Sequence, residues 1–147
     1  MKFEFSFEKL LDHKKTLEDI ARRNWAEKRR ELDAGLKKLE DMFGQIDESR
    51  QRALALGTSG GATGPALVQI DEFINGQKIR IERHRASLRE LMAEVERLHE
   101  LLVEAAKERK TLEKLKERRL EEFKKLQKKR EAKEIDELVT TRFGKNG

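Results

Sequence analysis

The chain has no cysteine and no tyrosine, one proline and one tryptophan, and aromatic residues make up 5% of its 147 positions. Without cysteine there is no disulfide, no thiol nucleophile and no cysteine-ligated zinc. With 36% hydrophobic residues and so few aromatics, the chain cannot fill a broad globular core, but it can fill a narrow seam. No apolar run approaches the roughly 20 residues of a membrane-spanning helix, so no integral membrane segment is expected. The opening Met1-Lys2-Phe3-Glu4-Phe5 is interrupted by charge and leads into no apolar stretch of the kind a secretory signal needs.

Charge is what the chain has in quantity: 43% of its residues are charged. A composition of this kind points to coiled coil or long helix if the apolar residues are periodic, and to disorder if they are not. The second half settles it. Ile81, His84, Leu88, Leu91, Val95, Leu98, Leu102, Ala105, Arg109 and Leu112 alternate steps of 3 and 4 without a break, the spacing of a heptad seam. Earlier, Leu10, Leu17, Ala21, Trp25, Leu32, Leu36, Leu39, Phe43 and Ile46 recur less regularly, with 32-36-39-43-46 as the heptad stretch and stutters before it. Ahead of them Phe3, Phe5 and Phe7 alternate, which predicts a short extended lead-in with Ser6 as a helix cap. Acid–base pairs such as Glu18–Arg22 and Glu48–Arg52 are spaced for contact along one helix.

Glycine is concentrated between these two patterns. Gly57-Thr58-Ser59-Gly60-Gly61-Ala62-Thr63-Gly64-Pro65 holds four of the nine glycines and the single proline, and no charged residue falls between Arg52 and Asp71. Glycine permits the backbone angles of a reversal and weakens helix, and Pro65 suits a first helical position after Gly64. The expected fold is therefore all-α: an antiparallel two-helix coiled-coil hairpin forming one domain over 1–147. Its first arm is 7–56, its tip 57–65 and its second arm 65–141, with a frayed tail at 142–147. Asn75-Gly76 is expected as a weak point or kink, and Gly35 as a helix position costing about 1 kcal/mol relative to alanine.

Recognisable chemistry is sparse. The glycine run lacks the Lys-Ser or Lys-Thr of a phosphate loop and no strand pattern precedes it. His99-Glu100 begins like a zinc-protease motif, but Val103 stands where the second histidine belongs. The histidines are scattered and the carboxylates are spread over charged faces. The expectation is no enzyme, no cofactor and no metal.

Net charge is +5, and residues 107–133 hold 13 Lys/Arg against 6 Asp/Glu, a net of +7 that leaves −2 for the remainder. Within it, Lys124-Lys125-Leu126-Gln127-Lys128-Lys129-Arg130 is the strongest electrostatic feature. Three readings stand open: a solvated coiled-coil surface, a docking surface for an acidic protein, or contact with nucleic acid or anionic membrane. Interleaved acids and the shortage of stacking aromatics speak against nucleic acid.

Phe3-x-Phe5-x-Phe7-Glu8-Lys9-Leu10-Leu11-Asp12-His13-Lys14 resembles the start of the FliJ family of flagellar type III export proteins. So does the glycine-rich break followed by Leu67-x-x-Ile70-Asp71-x-Phe73-Ile74. Leu112-Glu113-Lys114-Leu115-Lys116-Glu117-Arg118-Arg119 and Glu134-Ile135-Asp136-Glu137-Leu138 resemble its closing helix. The resemblance implies a stalk in the pore of a hexameric export ATPase, promoting ring assembly and ATP hydrolysis and contacting the export gate's cytoplasmic linker and export chaperones. It also implies a cytoplasmic location, peripheral at the inner membrane face of the flagellar base. The candidate ATPase-binding residues are Phe3, Phe7, Lys124, Lys125, Lys128 and Arg130. The family's gate contact, an aromatic and a histidine near the start of the second helix, matches Phe73 and His84, with Gln77 and Arg80 between them; seam packing is the other reading of Phe73 and His84. The equivalent stalk of a virulence secretion system, and a basic coiled-coil scaffold, remain alternatives of the sequence.

Overall fold

The computed structural model describes residues 2–58 and 64–144. It contains two long helices, α1 over Glu8–Thr58 (51 residues) and α2 over Gly64–Gly144 (81 residues). They pack antiparallel, which is the expected all-α hairpin class. Ser59–Thr63, the middle of the expected tip, lie outside the described residues, as do Lys145–Gly147 of the expected frayed tail. Arg142, Phe143 and Gly144 of that tail are helical, and α2 passes through Asn75-Gly76 without interruption. The helix closes over that pair because its neighbours Ile74 and Gln77 are anchored against α1: Ile74 packs on the Met42–Ile46–Ile81 cluster and Gln77 is buried.

Both helices contribute to each of two compact units, Ala21–Leu102 and the pair of segments Met1–Ile20 and Val103–Gly147. In the first, Leu32, Leu88 and Val95 form a buried cluster with Trp25, Leu39 and Leu91 around it, and Met42, Ile46 and Ile81 form another with Leu39 and Ile74. The buried positions of α2 include the regular seam read from sequence: Ile81, Leu88, Val95 and Leu98 are buried, and His84, Leu91 and Leu102 half-buried.

The seam of α1 differs from the one its hydrophobic residues suggest. Leu10, Leu17, Leu36 and Phe43 are exposed at about two-fifths of their surface, while Leu11, Glu18, Leu32, Met42, Ile46 and Ser49 are buried. A continuous line of covered positions runs through Leu11, Lys14, Glu18, Ala21, Trp25, Lys28, Leu32, Gly35, Leu39, Met42, Ile46, Ser49, Ala53 and Leu56, stepping 3 and 4 throughout. There is no stutter. The apolar residues one position away from this line flank the seam, and polar residues and a glycine occupy it.

Gly35 shows why. A Cβ at this position would come within 2.5 Å of Leu88 Cδ2, so the missing side chain lets the two helices approach. The Nε2–H of His84 then donates to the Gly35 carbonyl oxygen at 2.7 Å. The helix-propensity cost of the glycine is offset by packing a larger residue could not allow.

In the second unit the lead-in turns at Ser6 and Phe7 as it enters α1. Glu8 N–H donates to the Phe5 carbonyl at 3.2 Å and Leu11 N–H to that of Phe7 at 2.9 Å, so α1 begins at Glu8. Ser6 Oγ accepts from Arg119 Nη1 at 2.8 Å. Phe5 and Leu11 are buried, the Phe3 and Phe123 rings lie 5.5 Å apart, and Phe5 and Phe7 meet edge-on at 5.9 Å. Beyond Phe123 the helix loses its cover: every described residue from Lys128 to Gly144 is exposed.

Candidate functional site

Three surfaces bring together the residues singled out in the sequence. On α2 near its start, Gln77 is 3% exposed. Its amide nitrogen donates to Gln45 Oε1 at 2.7 Å and to the Met42 carbonyl at 3.4 Å, and its amide oxygen accepts from Arg80 Nε at 2.9 Å. The Arg80 guanidinium stands 5.6 Å from the Phe73 ring centroid, a cation–π arrangement. Gln77 thus faces inward, and Phe73, 38% exposed, and Arg80 face outward, locked in series behind it. His84 faces inward to Gly35. A groove of 550 Å³ runs beside them, lined by Lys38, Asp41, Gln45, Arg80, Arg83 and Ser87 together with Met42, Gln77 and His84. Gln77 stands four residues before Ile81, in step with the seam, but a polar residue beside Asn75-Gly76 carries no hydrophobic signal of burial.

The second surface is a band of ion pairs in the unit that contains both ends of the described chain. Arg109 is forked between two acids. Its guanidinium pairs with the Glu18 carboxylate through Nε–Oε2 and through Nη2–Oε1 at 3.4 Å, and Nη1 donates to Glu113 Oε2 at 2.7 Å. The Glu18 and then the Glu113 hydrogen bond raise the Arg109 pKa above its ordinary value. Lys14 Nζ meets Glu108 Oε2 at 2.8 Å, and Lys116 Nζ meets Glu8 Oε2 at 2.8 Å. Arg119 lies 5.2 Å from the Phe7 ring centroid and 5.9 Å from that of Phe5. The sequence signal was Arg109 itself: a charged residue on a regular seam calls for a buried partner of opposite sign. Which acid supplies it is set by the packing of α1 on α2, which brings Glu18 opposite Arg109.

The third surface is the tail of α2. Lys124, Lys125, Lys128 and Arg130 are exposed there, while Phe3 is half-buried on Phe123 and Phe7 is 40% exposed under Arg119. The lead-in phenylalanines therefore brace the base of the tail, and the lysines project beyond it. Among the described residues no group of three or more His, Cys, Asp or Glu could hold a metal ion, and no helix is long and apolar enough to cross a membrane.

Compared with protein families, the chain matches the one described as "Flagellar FliJ protein" over residues 2–147. Comparison with curated proteins and with solved structures gives no match.

Proposed function

The chain belongs to the FliJ family of flagellar proteins, and from that premise we propose that it is a non-enzymatic stalk of flagellar protein export, seated in the pore of the hexameric export ATPase, where it promotes ring assembly and ATP hydrolysis. The observation that carries this reading is the family match across essentially the whole chain. The paired helices support it, because helices tied by cross-helix contacts transmit torsion where a flexible tail cannot. The end bearing Phe3, Phe7, Lys124, Lys125, Lys128 and Arg130 is assigned to the ring, since a cluster of exposed cations suits an acidic pore lining.

The export-gate linker is assigned to the face at the start of α2. Phe73 and Arg80 supply its contact surface, Gln77, bonded inward, holds Arg80, and His84 ties the same stretch of α2 to Gly35. Export chaperones are the remaining partners of the proposal, and the working place is the cytoplasmic face of the flagellar base.

Adding the full chain to the cognate ATPase raises its hydrolysis rate on this reading; an unchanged rate at saturating stalk refutes it. Charge reversal at Lys124, Lys125, Lys128 and Arg130 weakens ring binding with helicity intact. Phe73→Ala weakens capture by the gate linker and leaves the ATPase response in place.

A further inference from the structure

The last turns of α2 carry an apolar stripe that the pairing with α1 does not use. Ile135, Leu138, Val139 and Phe143 are 59%, 69%, 47% and 74% exposed. Their spacing of 3, 1 and 4 puts them on one face of a helix. That face is not a continuation of the seam. At about 100° per residue, its centre lies roughly 135° around α2 from the line of Leu112, Lys116, Arg119 and Phe123 that meets α1 and the lead-in.

The charges of the tail are sorted with respect to the stripe. Lys124, Lys128 and Arg142 fall among the apolar residues on the wheel, with Ala132, and Lys125 borders Phe143. Glu131 is the one acid on that face; Glu137 lies on the opposite side, and Glu134 and Asp136 flank the face at its two margins. All of these residues are exposed. A helix face that combines large apolar residues with cations, and keeps most of the acids off it, suits the boundary between headgroups and acyl chains of an anionic bilayer. A purely polar acidic surface would pair with the cations but would leave Phe143 and Leu138 in water.

We propose that the α2 tail, residues 124–144, is an interfacial helix that docks on an anionic lipid surface through Ile135, Leu138, Val139 and Phe143, with Lys124, Lys125, Lys128 and Arg142 on the headgroups. The lysyl stems lie along the apolar face while their ammonium groups stay in the headgroup layer. This surface stands apart from the ATPase reading, but shares Lys124, Lys125 and Lys128 with it. A tail on the membrane is therefore withheld from a ring, and the two forms compete.

The test is co-sedimentation of the full chain with vesicles of mixed phosphatidylcholine and phosphatidylglycerol, against vesicles of phosphatidylcholine alone; no ATPase is present, so the outcome is independent of the stalk reading. The chain binds the mixed vesicles and not the neutral ones. Leu138→Ser with Phe143→Ser lowers partitioning about tenfold or more, because the apolar area is lost. Lys124→Glu with Lys128→Glu does so by about tenfold or more through headgroup repulsion. Arg130→Glu with Lys133→Glu, on the opposite face, changes it by less than about threefold, since those side chains stay in water. Circular dichroism checks that each variant stays helical, and the lysine pair keeps the test valid if the serine pair does not. Absence of binding to mixed vesicles overturns the proposal. So does equal loss from the opposite-face pair, which marks diffuse attraction. A dimer that forms without vesicles and is lost with Phe143→Ser also overturns it, because a second copy then covers the stripe.

Discussion

The unit Ala21–Leu102 and the unit that gathers Met1–Ile20 with Val103–Gly147 are built from the same two helices with the same heptad spacing, yet they hold together differently. In the first, leucine, isoleucine, valine and methionine fill most of the seam, neutral hydrogen bonds from Gln77 and His84 cross it, and the ion pairs Lys28–Glu31, Arg29–Asp33, Arg85–Glu82 and Arg97–Glu94 run along single helices. In the second, Lys14–Glu108, Glu18–Arg109 and Glu8–Lys116 cross from one helix to the other. Apolar seams favour association but tolerate slippage by a heptad, because one leucine replaces another. A half-buried arginine forked by two acids, one of them the buried Glu18, favours one alignment, since a shifted register would separate the charges. The first unit supplies affinity between the helices, and the second fixes their register.

Breaking the apolar seam has the largest effect. Proline at Leu91 or Leu98 removes a backbone hydrogen bond and costs about 3 kcal/mol or more; thermal melting followed by circular dichroism shows a large drop or loss of the transition. Leu88→Ala, in the cluster with Leu32 and Val95, costs about 2–4 kcal/mol. Gly35→Val forces a branched side chain against Leu88 and lowers stability by about 1–3 kcal/mol; a raised melting temperature would show that the glycine is not needed for close approach.

The register lock comes next. Arg109→Leu removes the guanidinium that the buried Glu18 carboxylate holds across the helices and costs about 1–3 kcal/mol, discounted for the part of Arg109 that reaches solvent. Glu18→Leu with Arg109→Leu recovers most of that stability, but loosens register, read as new spin-label distances across the helices. If the double variant keeps a single distance, the apolar seam alone defines the alignment.

The smallest effect belongs to the exposed pairs. The Arg97 hydrogen bond holds the Glu94 carboxyl below its ordinary value. Its stabilising contribution is present above the ordinary carboxylate range and fades as pH falls through the lowered value. Glu94→Gln therefore shifts the melting temperature slightly at neutral pH and not at all in strong acid. The raised pKa of Arg109 works in the opposite sense: its contribution is present below the ordinary guanidinium value and lost above it, so it does not vary between mild acid and neutrality.

Legibility followed the same division. The α2 seam from Ile81 to Leu112 could be read residue by residue, because a run of leucines and valines at heptad spacing has one interpretation. The α1 seam was misplaced by one position at Leu10, Leu17, Leu36 and Phe43, because hydrophobicity ranks residues and does not say which neighbour the partner helix covers. Gln77 and Gly35 were invisible as seam residues for that reason, although both sit in step with the repeat. The basic character of residues 124–130 was plain. That Phe3 braces Phe123 and that the helix beyond has no cover depends on where the lead-in stops.

By itself the sequence determined the class of structure: charge without cysteine or a broad core, heptads on both sides of a glycine-rich break, hence two long antiparallel helices. It did so because periodicity and helix-breaking are local properties of the chain. The partners of Glu18, Arg109, Gln77 and His84, and the exposure of the stripe from Ile135 to Phe143, were decided only by tertiary structure. Those depend on which residues, far apart in sequence, are brought opposite one another, and on where α1 gives α2 no neighbour.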